Sequence, residues 1–153
     1  MQISDILQGV RVGDLAGADH TNVISVSPDT PAREAARLQM ENKIGIVVVL
    51  NGDGGVAGVL SERDIVHAFA DHGEDALAMT AETLMTKDVQ TCGLNDPPHE
   101  VMGRMSKGNF RHMPVVEGGA LKGIISSRDI MNHYAENGSP DDQADLLKNM
   151  TWV

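Results

Sequence analysis

Hydrophobic and polar residues follow the same order of patterns twice along this chain. Short apolar or β-branched runs predict strands, and runs with apolar residues at helical spacing predict helices. In both copies the order is strand, helix, strand, strand, helix, which predicts a mixed α/β (α+β) fold built from two β-α-β-β-α units. The predicted strands are residues 23–26, 44–50 and 56–60 in the first copy and 89–92, 110–116 and 120–125 in the second.

Glycine-rich turns separate the last two strands of each copy. Residues 51–55 read Asn-Gly-Asp-Gly-Gly, and residues 117–119 read Glu-Gly-Gly. This composition is typical of β-hairpins, because Gly and Asn tolerate positive φ. Gly73 and Gly138 stand where a glycine is expected to end the last helix of each copy. The turns and the helix ends therefore indicate the same repeated unit.

The predicted helices have recognisable starts and apolar faces. Thr30-Pro31 and Asp96-Pro97 predict N-cap and first-turn positions, since proline needs no amide hydrogen there. In the last helix of each copy, apolar residues at positions i, i+1 and i+4 predict a single apolar stripe. The stripes consist of Ile65, Val66 and Phe69 in the first copy and of Ile130, Met131 and Tyr134 in the second.

Direct alignment of the two copies supports a true internal repeat. When residues 58–73 are aligned with 123–138, seven of sixteen residues are identical, whereas about one identity is expected by chance. A unit of about 60 residues buries only part of its apolar surface alone, so the repeats are expected to pack as a pseudo-two-fold module. We assign residues 1–73 to the first repeat with an N-terminal extension, 74–88 to a helical linker, 83–138 to the second repeat and 139–153 to a C-terminal tail.

Each copy ends its last strand on Ser-x-Arg-Asp, at 61–64 and at 126–129. One interpretation is structural, because Ser and Asp three residues apart at a helix start form a variant of the capping box. The other is a nucleotide site, because a strand that runs into a helix N-terminus presents backbone amides and the positive dipole end to a phosphate. Arg63 or Arg128 would add a charged donor, and the aspartate would accept hydrogen bonds from ribose hydroxyls.

The two copies together resemble a tandem pair of cystathionine β-synthase (CBS) domains. The resemblance covers about residues 1–138. It rests on the repeated Gly-h-h-Ser-x-Arg-Asp-h motif (h is hydrophobic), on Met85-Thr86 and on Arg-His-Met-Pro-Val-Val at 111–116. It implies a module with two clefts between the repeats that bind adenosine-containing ligands such as AMP, ADP, ATP, S-adenosylmethionine or NAD. It also implies a homodimer formed through the helices of both units.

The resemblance further implies roles for individual residues. Asp64 and Asp129 would hold ribose hydroxyls, and Ser61 and Ser126 would approach phosphate or ribose oxygens. Adenine would lie between the first and second strands of a unit. The residues implied at the two ligand sites are Val23, Ile44, Gly45, Ile46, Ser61, Arg63, Asp64, Thr86, Val89, Arg111, His112, Met113, Pro114, Ser126, Arg128 and Asp129.

The two copies differ at one pair of site positions. Arg111-His112 in the second copy replaces Gly45-Ile46 in the first. Arg111, together with Arg128, is expected to supply positive charge for one or more phosphates. The alternative for Arg111 is a salt bridge between the units, and the alternative for His112 is packing beneath a turn.

The net charge of -10 limits the classes of partner. Nucleic acid and anionic membranes both require a positive footprint, and neither is expected to bind this chain. The N-terminal residues lack the basic region of a signal peptide, and the apolar run 44–50 is too short to span a bilayer. The single Cys92 cannot form an internal disulfide and fits a reducing cytoplasm, where we expect it to be a buried small hydrophobe.

The sequence contains no motif that points to catalysis. Its six histidines lack metal-ligand spacing, and neither a P-loop nor a G-x-S-x-G motif occurs. We therefore expect neither an enzyme nor a metal site.

The sequence therefore predicts a stand-alone regulatory module that binds adenine nucleotides (AMP, ADP, ATP or NAD(H)). It would signal to a separate, unidentified protein target by conformational change. The alternative is a structural dimerisation or interaction module with vestigial, unoccupied clefts, in which S-x-R-D is only a helix cap. Residues 9–21 have no counterpart in the second copy, and Trp152 in the tail is expected to dock on the body or on a second subunit.

Overall fold

A computed structural model describes residues 1–9 and 23–150. Most of the segment 9–21, and Trp152, lie outside the described residues. The helices are α1 (Ile3–Gly9), α2 (Ala32–Asn42), α3 (Glu62–His72), α4 (Ala81–Leu84), α5 (Pro98–Gly108), α6 (Ser127–Asn137) and α7 (Pro140–Asn149), with a 3₁₀ helix at Gly73–Ala78. The strands are β1 (Ser25–Val26), β2 (Ile46–Leu50), β3 (Val56–Ser61), β4 (His112–Glu117) and β5 (Ala120–Ser126).

The chain divides into two compact units. The first-repeat unit is Val23–Val89, and the second-repeat unit contains the N-terminal residues together with the chain from Gln90 onward. In the first-repeat unit β1 pairs parallel with β2, and β2 pairs antiparallel with β3. In the second-repeat unit β4 and β5 form an antiparallel pair. The mixed α/β fold with a repeated β-α-β-β-α order is confirmed.

The first strand of each repeat is shorter than predicted. The prediction of 23–26 reduces to Ser25–Val26, and that of 89–92 reduces to one parallel bridge between Cys92 and Val115. The Cys92 amide donates to the Pro114 carbonyl, and the Val116 amide donates to the Cys92 carbonyl. In both repeats, therefore, the first predicted strand pairs in parallel with the second predicted strand. In the second repeat a single residue of the first strand, Cys92, makes this pairing.

The hairpins form where the glycines predict them. Gly118 and Gly119 have φ of 58° and 80°, and Glu117 pairs with Ala120 on either side of them. Two consecutive positive φ angles between paired strands define a type I′ turn, which glycine adopts without strain. Gly54 has φ of 84° in the first hairpin.

The starts of α2 and α5 are one residue later than predicted. Pro31 and Pro97 are themselves the N-cap residues, with extended ψ of 144° and 128° and no side-chain capping bond. For α2 the cause is a contact distant in sequence. The Ala32 amide donates to the Met79 carbonyl, and the Ala81 amide donates to the Thr30 carbonyl. This pairing holds Pro31 extended, so the helix begins at the next residue.

Each unit includes a short helix that comes just before the other repeat in sequence. The second-repeat unit includes α1, and the first-repeat unit includes α4. Ile3 and Ile6 of α1 are fully buried in the core of the second-repeat unit, whereas the sequence assigned them to the first repeat. Ala81 of α4 is buried in the core of the first-repeat unit. The Ile3 and Ser4 amides donate to carbonyls of the loop before α5. The predicted helical linker, 74–88, is accordingly a 3₁₀ helix and a short α-helix that belong to the first unit.

The two apolar stripes have different surroundings. Tyr134 of α6 is buried and its counterpart Phe69 of α3 is 53% exposed, whereas the counterparts Met131 and Val66 are both exposed, at 42% and 64%. The second-repeat unit has α7 after α6, with Leu146 in the same core cluster as Tyr134. The first-repeat unit has the 3₁₀ helix and the four-residue α4 after α3. Val66 and Phe69 therefore form an exposed apolar face of the first-repeat unit, while Ile65 packs against its core.

Candidate functional site

The two S-x-R-D motifs lie at strand-to-helix junctions with no intervening loop. Ser61 is the last residue of β3 and the N-cap of α3, and Ser126 is the last residue of β5 and the N-cap of α6. Ser61 pairs with Ile46 on β2, and Ser126 pairs with His112 on β4. The fold therefore brings each motif next to the second-strand residues that the sequence associated with it.

A complete capping box is present at both motifs. The Ser61 amide donates to Asp64 Oδ2 at 2.8 Å, the Ser61 hydroxyl donates to the same oxygen at 2.9 Å, and the Asp64 amide donates to Ser61 Oγ at 3.2 Å. The corresponding distances at Ser126 and Asp129 are 2.8, 2.6 and 3.1 Å. The structural interpretation of the motif is thus confirmed. These bonds use one oxygen of each carboxylate, so capping does not by itself exclude a second role for Asp64 or Asp129.

A third capping box lies outside the repeat. The Ser139 amide donates to Asp142 Oδ2 at 3.0 Å, the Ser139 hydroxyl donates to it at 2.7 Å, and the Asp142 amide donates to Ser139 Oγ at 3.2 Å. The hydrogen bond from the Ser139 hydroxyl, followed by that from the Ser139 amide, lowers the pKa of Asp142. Because this box starts α7 without a preceding strand, it is an internal control for what capping alone does.

The first and second junctions differ in the residues beside the cap. The Glu62 amide donates to the Gly45 carbonyl, and the Ser127 amide donates to the Arg111 carbonyl, both at 2.9 Å. These bonds make Gly45 equivalent to Arg111, and Glu62 equivalent to Ser127. The Glu62 carboxylate lies against Gly45, with Oε1 at 3.3 Å from the position that a Cβ would occupy there. Sequence analysis missed Glu62, because it occupies the variable position of the motif.

The remaining predicted site residues have varied positions. Thr86 lies on the outer edge of β3, where its amide and carbonyl bond to the carbonyl and amide of Val59 at 2.9 and 3.1 Å. Val23 lies just before β1, and Val89 is half-buried at the end of the first-repeat unit. Met113 is fully buried in the core of the second-repeat unit, so its side chain serves packing.

The arginines of the motifs are at the surface. Arg63 and Arg128 are exposed residues in the first turns of α3 and α6. A guanidinium at this position can approach an anion held at the helix terminus, because it carries five fixed donors. Arg111 is exposed as well, and it has interactions with other groups of the protein.

Cys92 is a buried small hydrophobe, as predicted. It is 4% exposed in the second-repeat core, and burial raises the pKa of its thiol to about 12, against a smaller lowering by Arg104. We expect iodoacetamide at about pH 8 to leave Cys92 unmodified in the native protein, because the thiolate is the nucleophile. In denaturant the same residue should react readily.

The same shift of the Cys92 pKa has a consequence for stability. The folded protein retains the thiol proton to higher pH than the unfolded chain does. The contribution of Cys92 to stability is therefore complete at neutral pH and decreases as the pH rises from the ordinary thiol range toward about 12. Alkylation of native Cys92 as fast as that of the unfolded chain, followed by mass spectrometry, would contradict its burial.

The described part of the chain offers no metal centre and no membrane span. Within residues 1–9 and 23–150, no group of three or more His, Cys, Asp or Glu side chains could hold a metal ion. Among the helices of those same residues, none is long and apolar enough to cross a bilayer.

Comparison with known proteins identifies the family. A family model of the CBS domain matches residues 12–71 and 81–136. The chain therefore belongs to the CBS domain family and carries two copies of the domain. A CBS-domain-containing protein from Agrobacterium tumefaciens is 39% identical, with a TM-score of 0.76 over 86% of this chain and 91% of that one.

Two other solved structures contain adenosine-based ligands. The CBS domain pair of protein MJ0100, in complex with 5′-methylthioadenosine and S-adenosyl-L-methionine, is 25% identical, with a TM-score of 0.71 over 89% of this chain and 97% of that one. A CBS domain protein from Pyrobaculum aerophilum, complexed with AMP, is 24% identical and has a TM-score of 0.71 over 97% and 99% of the two chains. At 24% identity, the similarity to the Pyrobaculum protein shows only that the two chains share a fold.

CBS domains also occur within larger enzymes. The inosine-5′-monophosphate dehydrogenase of Korarchaeum cryptofilum is 33% identical over 83% of this chain, but the match spans only 25% of that enzyme. The chain thus spans about a quarter of this relative.

Proposed function

We propose that this protein is a non-catalytic regulatory module that binds adenine nucleotides at the N-termini of α3 and α6 and responds by a change of conformation. The observation that carries the proposal is the repeated junction in which a strand runs directly into a helix at Ser-x-Arg-Asp. The MJ0100 domain pair, which holds adenosine-based ligands, supports the same class of ligand. We propose AMP, ATP or NAD as the ligand, and a separate protein as the target of the signal.

The chemistry of the junction suits a nucleotide. The positive dipole end of a helix favours an anion, and one is present at Ser61 and at Ser126, although the Ser61, Glu62 and Asp64 amides and their counterparts already donate to groups of the protein. Two hydrogen bonds hold each aspartate carboxylate in place before any ligand arrives. An acceptor that is already ordered loses less conformational entropy when it binds ribose hydroxyls.

The rival function is a structural dimerisation or interaction module without a ligand. The complete capping boxes favour it, because they account for Ser61, Asp64, Ser126 and Asp129 without any small molecule. The box at Ser139 shows that this sequence forms such caps elsewhere. An experiment must therefore distinguish the role of these serines and aspartates in ligand binding from their role in helix capping.

Replacement of Asp129 by alanine separates them. If Asp129 binds ribose, the affinity for nucleotide should fall by about 1.5–3 kcal/mol, because a hydrogen bond to a charged group is lost. Asp142→Ala is the matched control, since it removes the acid of an identical cap on α7 and should leave affinity unchanged. The measurement is calorimetric titration with AMP, ATP, NAD+, NADH and S-adenosylmethionine. Binding that Asp129→Ala leaves unaltered, or no binding by any of the five, would favour the rival function.

We also propose a homodimer that buries the apolar face of α3. Val66 and Phe69 are 64% and 53% exposed, and the CBS resemblance implies dimers formed through helices. Phe69→Asp should therefore shift the protein from dimer to monomer in sedimentation equilibrium. Leu147→Asp, which alters another exposed apolar residue (59%), should not. A wild-type protein that sediments as a monomer would contradict this proposal.

A further inference from the structure

The sequence contains two Asn-Gly pairs, at 51–52 in the first hairpin and at 137–138 at the end of α6. Asparagine is a thermolabile residue. When glycine follows it, no side chain shields the backbone nitrogen that can attack the carbonyl carbon of the asparagine side chain. Asn51 and Asn137 are both exposed, so exposure of the asparagine does not distinguish the two pairs.

The Asn137-Gly138 pair is held in an arrangement that hinders this attack. The Gly138 amide, which contains the attacking nitrogen, donates to the Tyr134 carbonyl at 2.9 Å. The Asn137 side-chain amide donates to the His133 carbonyl at 3.3 Å. Both hydrogen bonds must break before the nitrogen reaches the side-chain carbonyl carbon, and the end of α6 must open locally.

The hydrogen bonds of the first hairpin involve other groups than those that would react. The Asn51 backbone amide donates to the Gly55 carbonyl at 2.8 Å, and the Asn51 backbone carbonyl accepts from the Gly54 amide at 2.9 Å. The Gly55 amide donates to Asp53 Oδ1 at 2.9 Å. None of these bonds uses the Gly52 nitrogen or the Asn51 side chain. A Cβ at Gly52 would have nothing within 4 Å, so the space around the reacting groups is open.

We propose that Asn51 is a site of spontaneous covalent modification, namely deamidation through a succinimide. The Gly52 nitrogen loses its proton to solvent and forms a bond to the carbonyl carbon of the Asn51 side chain. The side-chain nitrogen takes a proton from solvent and leaves as ammonia. Water then adds to either carbonyl carbon of the ring and breaks the bond from that carbon to the ring nitrogen. The products are aspartate and isoaspartate, and no oxidant or reductant takes part.

The modification changes the tip of the hairpin and leaves the strand-to-helix junction intact. Both products carry a negative charge that asparagine lacks. Isoaspartate also lengthens the main chain by a methylene group and removes the Asn51 carbonyl that accepts from Gly54. Ile46, at the other end of β2, pairs with Ser61. The proposal is therefore independent of whether the junction binds a nucleotide.

The experiment follows both Asn-Gly pairs in one sample of the full-length protein. The protein is incubated at mildly alkaline pH, and peptide mapping by mass spectrometry measures conversion at each asparagine. In the folded protein Asn51 should be converted at least about tenfold faster than Asn137, which corresponds to about 1.4 kcal/mol. In denaturant the two rates should become similar, because neither pair then has its native hydrogen bonds. Equal rates in the folded protein, or an Asn51 that stays intact, would overturn the proposal.

Gly52→Ala tests the chemical cause. The substitution should slow conversion of Asn51 by at least about tenfold, because a methyl group then shields the attacking nitrogen. The fold should tolerate it, since the Cβ has space and Gly52 is not among the glycines with positive φ. Conversion of Asn137 in the same variant is the internal control and should not change. If Asn51 is converted in Gly52→Ala as fast as in the wild-type protein, the succinimide route is wrong.

Discussion

Replacement of Leu146 by alanine is expected to lower the free energy of unfolding by about 2–4 kcal/mol. Leu146 is 7% exposed and packs in the second-repeat core with Tyr134. The helix that carries it also approaches α5 closely, because a Cβ on Gly103 would lie 3.4 Å from the Asn149 carbonyl oxygen. Truncation of Leu146 therefore leaves a cavity in a packed interface.

Leu147 provides a control of the same residue type one position away. It is 59% exposed, so Leu147→Ala should change stability by no more than about 0.5 kcal/mol. Urea unfolding followed by circular dichroism measures both variants. Equal effects of the two substitutions would contradict the docking of α7 and would make residues 140–149 an appendage rather than part of the unit.

The elements that sequence analysis located correctly are specified by local chemistry. The turn at Gly118 and Gly119 requires two positive φ angles, which few other residue pairs adopt. The starts of α3 and α6 are specified by Ser and Asp three residues apart. In each case the residues that determine the conformation lie within a few positions of it, so their pattern is visible in the sequence.

The predictions that failed depend on contacts between distant parts of the chain. The start of α2 shifts because Thr30 and Ala32 pair with backbone at 79–81, and no property of Pro31 reveals that pairing. The first helix packs in the second-repeat unit because Ile3 and Ile6 fill a core whose other members follow residue 90. Periodicity identifies an apolar face but does not identify the partner that covers it.

The sequence predicted only part of the candidate site. It revealed the repeated motif, but it did not reveal which residues distant along the chain contact that motif. Repetition made Ser-x-Arg-Asp conspicuous, but the cap and the nucleotide interpretations use the same serine and the same aspartate. Sequence alone therefore left both open, and the structure adds that the cap exists at each junction. The contact of Glu62 with Gly45 joins residues seventeen positions apart (62 minus 45), so this contact emerges only when the strands are paired.

The edge of β3 near the first site tolerates no side chain at Gly58. A Cβ added there would lie 2.6 Å from the Thr86 carbonyl oxygen and 2.6 Å from Met85 Sδ. The backbone oxygen cannot move without disturbing the two hydrogen bonds between Val59 and Thr86. We therefore expect Gly58→Ala to lower the free energy of unfolding by about 2–4 kcal/mol, from steric strain and the loss of those bonds.

Gly52→Ala is the matched control for Gly58→Ala, because a Cβ at Gly52 would have nothing within 4 Å. Its effect should stay within about 0.5 kcal/mol. Since the bonds to Val59 hold the chain at Thr86, Gly58→Ala should also accelerate hydrogen exchange at the Thr86 amide, whereas Gly52→Ala should not. Equal stability of the two variants would show that residues 85–86 can shift without loss of stability. In that case the hydrogen bonds between Val59 and Thr86 would not hold this segment on β3.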